Sequence, residues 1–181
     1  MILVTTTRHA TPPVRRLARE IAWSLGFARK VNRGRMSLDE LLLLARRVNA
    51  SRIIIIGRGL YGNPGRLLFL GVSGEVEMKK ILFLHLRGVV FSGMRNKPPL
   101  PAYRLPIVSL GVTDDVAERI ALGFDALYLG RYSLEELRNF KSYSRVIAIE
   151  PINRKGLVLK FLERGEPLGP RLLVKTLQGY V

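Results

Sequence analysis

Apolar positions along the chain alternate between a strand-like run and a helical spacing, and the alternation runs twice. Residues 2–7 read as a short strand. Thr11 then suits an N-cap and Pro12 and Pro13 a first helical turn. Val14, Leu17, Ala18, Ile21, Ala22 and Leu25 follow at helical spacing, and Gly26 can close that helix. Residues 27–31 look extended. Ser37-Leu38-Asp39-Glu40 is a capping box, with Leu38, Leu41, Leu42, Ala45 and Val48 on one face behind it. The β-branched run 53–56 predicts a buried strand. A glycine-rich loop, 57–65, leads to strands over 66–72 and 79–90 that turn at Ser73-Gly74.

The stretch 92–106, with Gly93, Pro98, Pro99, Pro101 and Pro106, has no periodicity and marks a connection between residues 1–91 and 107–181. Beyond it the pattern restarts. A strand is expected over 107–110, then a helix capped by Thr113 and running to about Leu122, with Asp114, Asp115 and Glu118 near its positive end. Ser133-Leu134-Glu135-Glu136 is a second capping box. A strand over 145–150 and a paired set over 157–162 and 171–177 complete the chain. Three segments match between the halves. Ser24-Leu25-Gly26-Phe27 parallels Ala121-Leu122-Gly123-Phe124, Met36 to Leu41 parallels Tyr132 to Leu137, and Arg52 to Ile56 parallels Arg145 to Ile149. The offsets are 97, 96 and 93 residues in the same order, which argues for internal duplication. The expected fold is α/β of an α+β, sandwich-like kind. Two pseudo-repeated halves would each carry a mixed sheet with packed helices.

Charge changes this picture more than composition does. The 181 residues, 48% of them hydrophobic, can bury a real core. Thirty Lys and Arg against fourteen Asp and Glu give +16, a balance that in a folded domain implies a polyanionic partner. The excess is uneven, since residues 1–72 carry 13 basic and 3 acidic side chains. Cysteine is absent, which excludes disulfides, thiolate metal ligands and a thiol nucleophile. No signal peptide is read at the start, and no apolar run approaches the ~20 residues of a membrane span. A soluble, cytoplasmic protein is expected, or a nucleolar one were the source eukaryotic.

Catalytic patterns do not assemble. Gly57-Arg58-Gly59-Leu60-Tyr61-Gly62 has dinucleotide-binding spacing after a strand. That chemistry needs a helix opening at the third glycine to hold the pyrophosphate, and an acid about 20 residues on. Here Asn63-Pro64-Gly65 and a strand-like run follow, and Glu75 and Glu77 come too soon. His9 and His85, the only histidines, fit no metal-ligand pattern. No cofactor, metal or catalytic residue is expected.

The basic residues form the candidate site. Arg8 precedes the first helix; Arg15, Arg16 and Arg19 lie on its polar side; Arg29, Lys30, Arg33 and Arg35 follow it; Arg58 and Arg66 stand at the edge. Arg15 and Arg19, at i and i+4, repel unless an anion is near, and arginine forks suit phosphate. A solvated charged face is the alternative. Trp23, four residues beyond Arg19, either stacks on an unpaired base or flanks the core.

Several of these segments resemble Brix-domain proteins. Thr5-Thr6-Thr7-Arg8 with Arg15 and Arg16 is similar to the family's opening. Asn32-Arg33-Gly34-Arg35-Met36-Ser37-Leu38 resembles its Arg-Gly segment, and Gly62-Asn63-Pro64-Gly65-Arg66-Leu67 its Gly-Asn-Pro loop. The likeness covers the first 70 residues by motif and the remainder by pattern. His9-Ala10-Thr11-Pro12 departs from the usual short Pro-Ser start. The resemblance, closest to the compact archaeal form, implies a ribosome-biogenesis factor that binds ribosomal or precursor ribosomal RNA. It implies assembly intermediates and ribosomal proteins as partners. It also implies two halves that each resemble the anticodon-binding domain of class IIa aminoacyl-tRNA synthetases. A small nucleotide-dependent or RNA-modifying enzyme and a structural ribosomal protein are the competing readings.

Overall fold

The computed structural model describes residues 1–73, 77–101, 103–152 and 156–180. Elements run β1 (Ile2–Thr6), α1 (Pro12–Leu25), β2 (Ala28–Lys30), α2 (Leu38–Arg47), β3 (Arg52–Arg58), β4 (Pro64–Ser73) and β5 (Glu77–Val90). After the connection come β6 (Ile107–Ser109), α3 (Asp114–Phe124), β7 (Tyr128–Arg131), α4 (Leu134–Arg138), β8 (Arg145–Pro151), β9 (Leu157–Glu163) and β10 (Glu166–Gly179). The expected turn at Ser73-Gly74 reaches beyond the described residues.

The ten strands of the described residues belong to one sheet, in the order β2-β1-β3-β4-β5-β10-β9-β8-β6-β7. β1 is parallel to both β2 and β3, and β3, β4 and β5 follow as antiparallel neighbours. The same succession recurs from β6 to β10. The two sets meet where β5 and β10 pair antiparallel. The mixed sheets expected from the sequence are therefore continuous.

Alternation along the strands decides which helix covers which face. Ile54, Ile56, Leu67, Phe69, Leu82 and Leu84 share a buried cluster with the apolar stripes of α1 and α3. Leu3, Ile53 and Ile55 point the other way and pack with Leu41 and Ala45 of α2. Val108, Val146 and Ala148 do the same with Leu137 of α4. α1 packs on β1 and also on β10, and α3 on β6 and also on β5, so each helix straddles the seam. These crossings are close. A Cβ on Gly169 of β10 would fall 2.2 Å from Ser24 Oγ of α1, and one on Gly123 of α3 would fall 2.7 Å from a Leu82 methyl of β5.

Both capping boxes form as expected, with Ser37 and Ser133 each accepting from the N–H three residues on. The helices behind them differ, ten residues in α2 and five in α4. Thr11 and Thr113 occupy N-cap positions, but neither side chain caps its helix. The Thr11 hydroxyl instead donates to the Gly62 carbonyl, tying the glycine-rich loop to the start of α1. That loop enters β4 at Pro64, so no helix opens at Gly62. Leu38, placed on the apolar face of α2 by spacing, is 44% exposed.

Asp125, in the left-handed conformation that ends α3, gathers three segments. It accepts from the Ser51 hydroxyl at 2.6 Å, pairs with Arg104, and lies 3.6 Å from Arg52. Burial acts to raise its carboxyl, but Ser51, Arg52 and Arg104 together hold it below the ordinary value of 3.8. A depressed carboxylate stabilises the fold fully above its unfolded pKa, and the contribution is lost as pH falls through the folded one. Asp125→Ala is expected to cost roughly 2 kcal/mol at neutral pH, the scale of hydrogen bonds to a charged group. The deficit should shrink below about pH 4, which urea unfolding at a series of pH values will measure.

Candidate nucleic-acid interface

β1 lies between β2 and β3; α1, which joins β1 to β2, covers one face, and α2, which joins β2 to β3, covers the other. A sheet with this order opens a crevice beyond the carboxyl ends of its central strands. Three segments border that opening: residues 6–10 after β1, residues 30–34 after β2, and the first turns of α1. They enclose a cavity of about 330 Å³ walled by Arg8, His9, Arg15, Lys30, Asn32 and Arg33. A second hollow, about 490 Å³, continues over Pro12, Pro13, Arg15, Arg16, Arg19, Lys30 and Phe91. Arg15 and Lys30 line both, so the two form one groove.

Six of the ten basic residues expected at the site line this groove: Arg8, Arg15, Arg16, Arg19, Lys30 and Arg33. Arg35 joins it through its carbonyl, which accepts from Arg8 at 3.3 Å. Arg29 pairs in register with Leu3, whose side chain faces α2, so Arg29 points away from the groove. Arg66 likewise sits opposite Gly57, on the α2 face and next to His85. Arg58 is exposed where β3 runs into the glycine-rich loop.

The electrostatics of the groove are one-sided. Among the described residues, Arg16 is the one member of the ten with an ion pair. Arg8, Lys30 and Arg33 find neutral acceptors. Lys30 donates to Asn32 Oδ1 at 2.7 Å and Arg33 to the Met36 carbonyl at 3.2 Å. Burial, and then the like charge of Arg8, hold the Arg33 guanidinium below its ordinary value. A bound anion would relieve this crowding.

Arg16 has a second task. Glu20 is wholly buried, and its carboxylate accepts from Arg16 Nε at 2.8 Å and from the Ser92 N–H and hydroxyl at 2.9 and 3.0 Å. The Arg16 guanidinium also lies 4.3 Å from the Phe91 ring centroid. Glu20 and Phe91 thus join α1 to the start of the connection. The sequence carried a signal for this, since Glu20 is the one acid in the first 38 residues and stands four residues from Arg16. Trp23 is half-buried, with the Arg19 guanidinium 5.2 Å from its ring centroid. Among the described residues, no three His, Asp or Glu side chains gather to hold a metal ion. No helix among them is long and apolar enough to cross a membrane.

No protein-family model matches the chain. Individual proteins do. It is 26% identical over 171 residues to an Aeropyrum pernix protein named "Probable Brix domain-containing ribosomal biogenesis protein", covering 93% of this chain and 92% of that one. A Thermococcus kodakarensis protein of the same name is 26% identical over 191 residues, covering 97% and 89%. The chain is similar over nearly its whole length to archaeal proteins named for the Brix domain. The resemblance read from its first 70 residues is borne out and extends to nearly all of its length. The crystal structure of a probable ribosomal biogenesis protein from Aeropyrum pernix matches with a TM-score of 0.77 and 25% identity, covering 97% of this chain and 95% of that one. That of Mil, an archaeal Imp4-like protein, shares the fold at a TM-score of 0.72 and 22% identity, covering 99% and 100%.

The dual role of Arg16 separates structure from binding. Arg16→Gln leaves a buried carboxylate short of its cation and is expected to cost about 1–3 kcal/mol. Arg15→Gln, with no partner to lose, should stay within about 0.5 kcal/mol of the parent. Thermal or urea unfolding of the two variants will show the difference.

Proposed function

We propose that the chain is a ribosome-assembly factor that binds ribosomal or precursor ribosomal RNA in the groove between α1 and the ends of β1 and β2. One observation carries the reading: the groove gathers six cations, five of which have no acidic partner among the described residues. Phosphates supply the missing charge. The N-terminus of α1 adds its positive dipole end, which has no acid in its first turn to offset it. The names of the relatives, ribosomal biogenesis proteins, support the same assignment. In this reading the chain acts by binding and not by catalysis. The loop with dinucleotide-like spacing runs into β4 and presents no helix to a pyrophosphate. Arg29, Arg58 and Arg66 would meet RNA only where it leaves the groove.

Internal duplication belongs to the same proposal. Residues 1–91 and 107–181, joined by 92–106, are read as two copies of one unit, each akin to a class IIa anticodon-binding domain. The recurrent strand order about the β5–β10 pair and the ordered offsets support this. The chain would work in the cytoplasm, or in the nucleolus of a eukaryotic source, with assembly intermediates and ribosomal proteins as partners.

Counterion release makes phosphate binding fall steeply with salt, with a log–log slope of about −4 if some six single-strand phosphates are neutralised. Changing Arg8, Arg15 and Arg19 together to Gln spares the Glu20 pair. The triple variant should fold normally, weaken binding to many RNAs alike and flatten the slope by about two units. Filter binding across a salt series, with circular dichroism as the folding control, is the measurement; unchanged affinity and slope would reduce the groove to a solvated face. Sedimentation of cell extracts tests the assembly role. The protein should travel with precursor particles and be absent from mature subunits, where a structural ribosomal protein would remain.

A further inference from the structure

The glycine-rich loop presents two large side chains to solvent at one point. Leu60 is 81% exposed and Tyr61 98%. The loop that carries them is tightly held. Gly59 N–H donates to the Asn63 carbonyl at 2.7 Å and Asn63 N–H to the Leu60 carbonyl at 3.0 Å. Gly59 and Gly65 touch so closely that a Cβ on Gly65 would fall 2.3 Å from the Gly59 Cα. Gly62 is fastened to Thr11, the residue before the prolines of the groove wall. The tip therefore stands as a fixed projection at the end of α1 where the cations collect, with Arg58 exposed at its base.

The backbone at the tip argues that the ring has a use. Tyr61 has φ 54°, ψ 26°, a left-handed conformation that is costly for a bulky residue and easy for Gly or Asn. The turn would be better made without a ring, and the ring buries nothing in the fold. A rigid, exposed aromatic face beside a phosphate-binding surface is what an unpaired nucleobase needs, because every base has a π-face and stacking tolerates any sequence. Inside an RNA duplex both faces of every base are already stacked on their neighbours.

We propose that Tyr61 is a stacking platform for an unpaired base of the RNA whose phosphates lie along α1. The proposal rests on the RNA-binding reading above and adds a selection for single-stranded segments that the cations alone do not make.

The test uses the full chain, a single-stranded oligoribonucleotide carrying one 2-aminopurine, and a blunt duplex of the same sequence. Tyr61→Asn removes the ring and suits the turn, so its melting temperature should equal or exceed that of the parent. It should bind the single strand roughly 5- to 100-fold more weakly, bind the duplex as before, and keep the parent's salt slope because no charge is removed. Tyr61→Trp should retain both affinity and quenching of the aminopurine. Single-strand affinity and quenching unchanged in Tyr61→Asn would overturn the platform. So would an equal loss for duplex and single strand, which would make the tip a general contact. If the parent binds neither RNA in a salt-dependent way, the groove reading falls and this proposal falls with it.

Discussion

Residues 82–90 of β5 and 171–179 of β10 carry the antiparallel pairing that joins the first five strands to the last five. The rest of the molecule hangs on that seam. α1 buries its apolar stripe partly on β10, which lies across it, and α3 partly on β5, so neither helix could be covered by its own strands alone. Phe69 of β4 meets Phe124 of α3 edge-on at 4.9 Å, and Phe124 meets Phe161 of β9 at 6.4 Å. This aromatic file crosses from one set of strands to the other. The glycines at the crossings are explained by the same constraint, since Gly169 and Gly123 are where a helix and a strand from opposite sides approach too closely for a side chain. Loss of the seam would expose the main core on both sides, and at about 25 cal/mol per Å² of apolar surface that outweighs any single hydrogen bond or ion pair in the molecule.

The groove borrows its rigidity from this arrangement. α1 carries Arg15, Arg16 and Arg19 on the side that the seam leaves uncovered, and its buried side is fixed against β1 and β10. Glu20 then anchors it to Ser92 at the exit of β5. Bringing Arg8, Arg15, Lys30 and Arg33 around one cavity is electrostatically unfavourable in the free protein. The cost is limited by solvent screening and by the neutral acceptors that hold Arg8, Lys30 and Arg33 in place without cancelling their charge. Acidic partners would have stabilised the same side chains more and left nothing for a polyanion. The cost is met by the packing beneath.

Elements with strong local signals were legible in the sequence. The stripe of α1, both capping boxes, the β-branched run of β3 and the passage of the glycine-rich loop into a strand rest on patterns within a few residues, and each stands in the structure. β7 was not legible, because Tyr128-Leu129-Gly130-Arg131 has neither alternation nor a β-branched run and is a strand only through pairing with β6. The basic cluster was legible as charge but not as geometry. Arg29 and Lys30 are neighbours in sequence with opposite fates, since β2 points one toward α2 and the other into the groove, and only the register with β1 settles which. Thr11 misled for a related reason. Its side chain had two acceptable uses, capping α1 or bonding the loop at Gly62, and the choice depends on a residue 51 positions away.

The same topological position in the two sets of strands has opposite chemistry. After β1, the chain carries Arg8 and His9 into a helix whose first turns bear Arg15, Arg16 and Arg19. After β6, it passes Gly111 into α3, which opens with Asp114 and Asp115 and continues with Glu118. β2 and β7 both flank these helices and both bring a cation, Lys30 and Arg131. In the second set Arg131 is neutralised by Asp114, which also accepts from the Tyr128 hydroxyl at 2.6 Å; those bonds hold the Asp114 carboxyl below its ordinary value. In the first set Lys30 meets only an amide oxygen. The hollow at the second position is lined largely by apolar groups, Val112, Val116, Leu157 and Leu177 among them. Strand order is the same about the two openings, while their side-chain charge differs. A polyanion offered both would meet six cations at the first and one, Lys175, in the hollow at the second, so the asymmetry of the +16 net charge would favour the first opening.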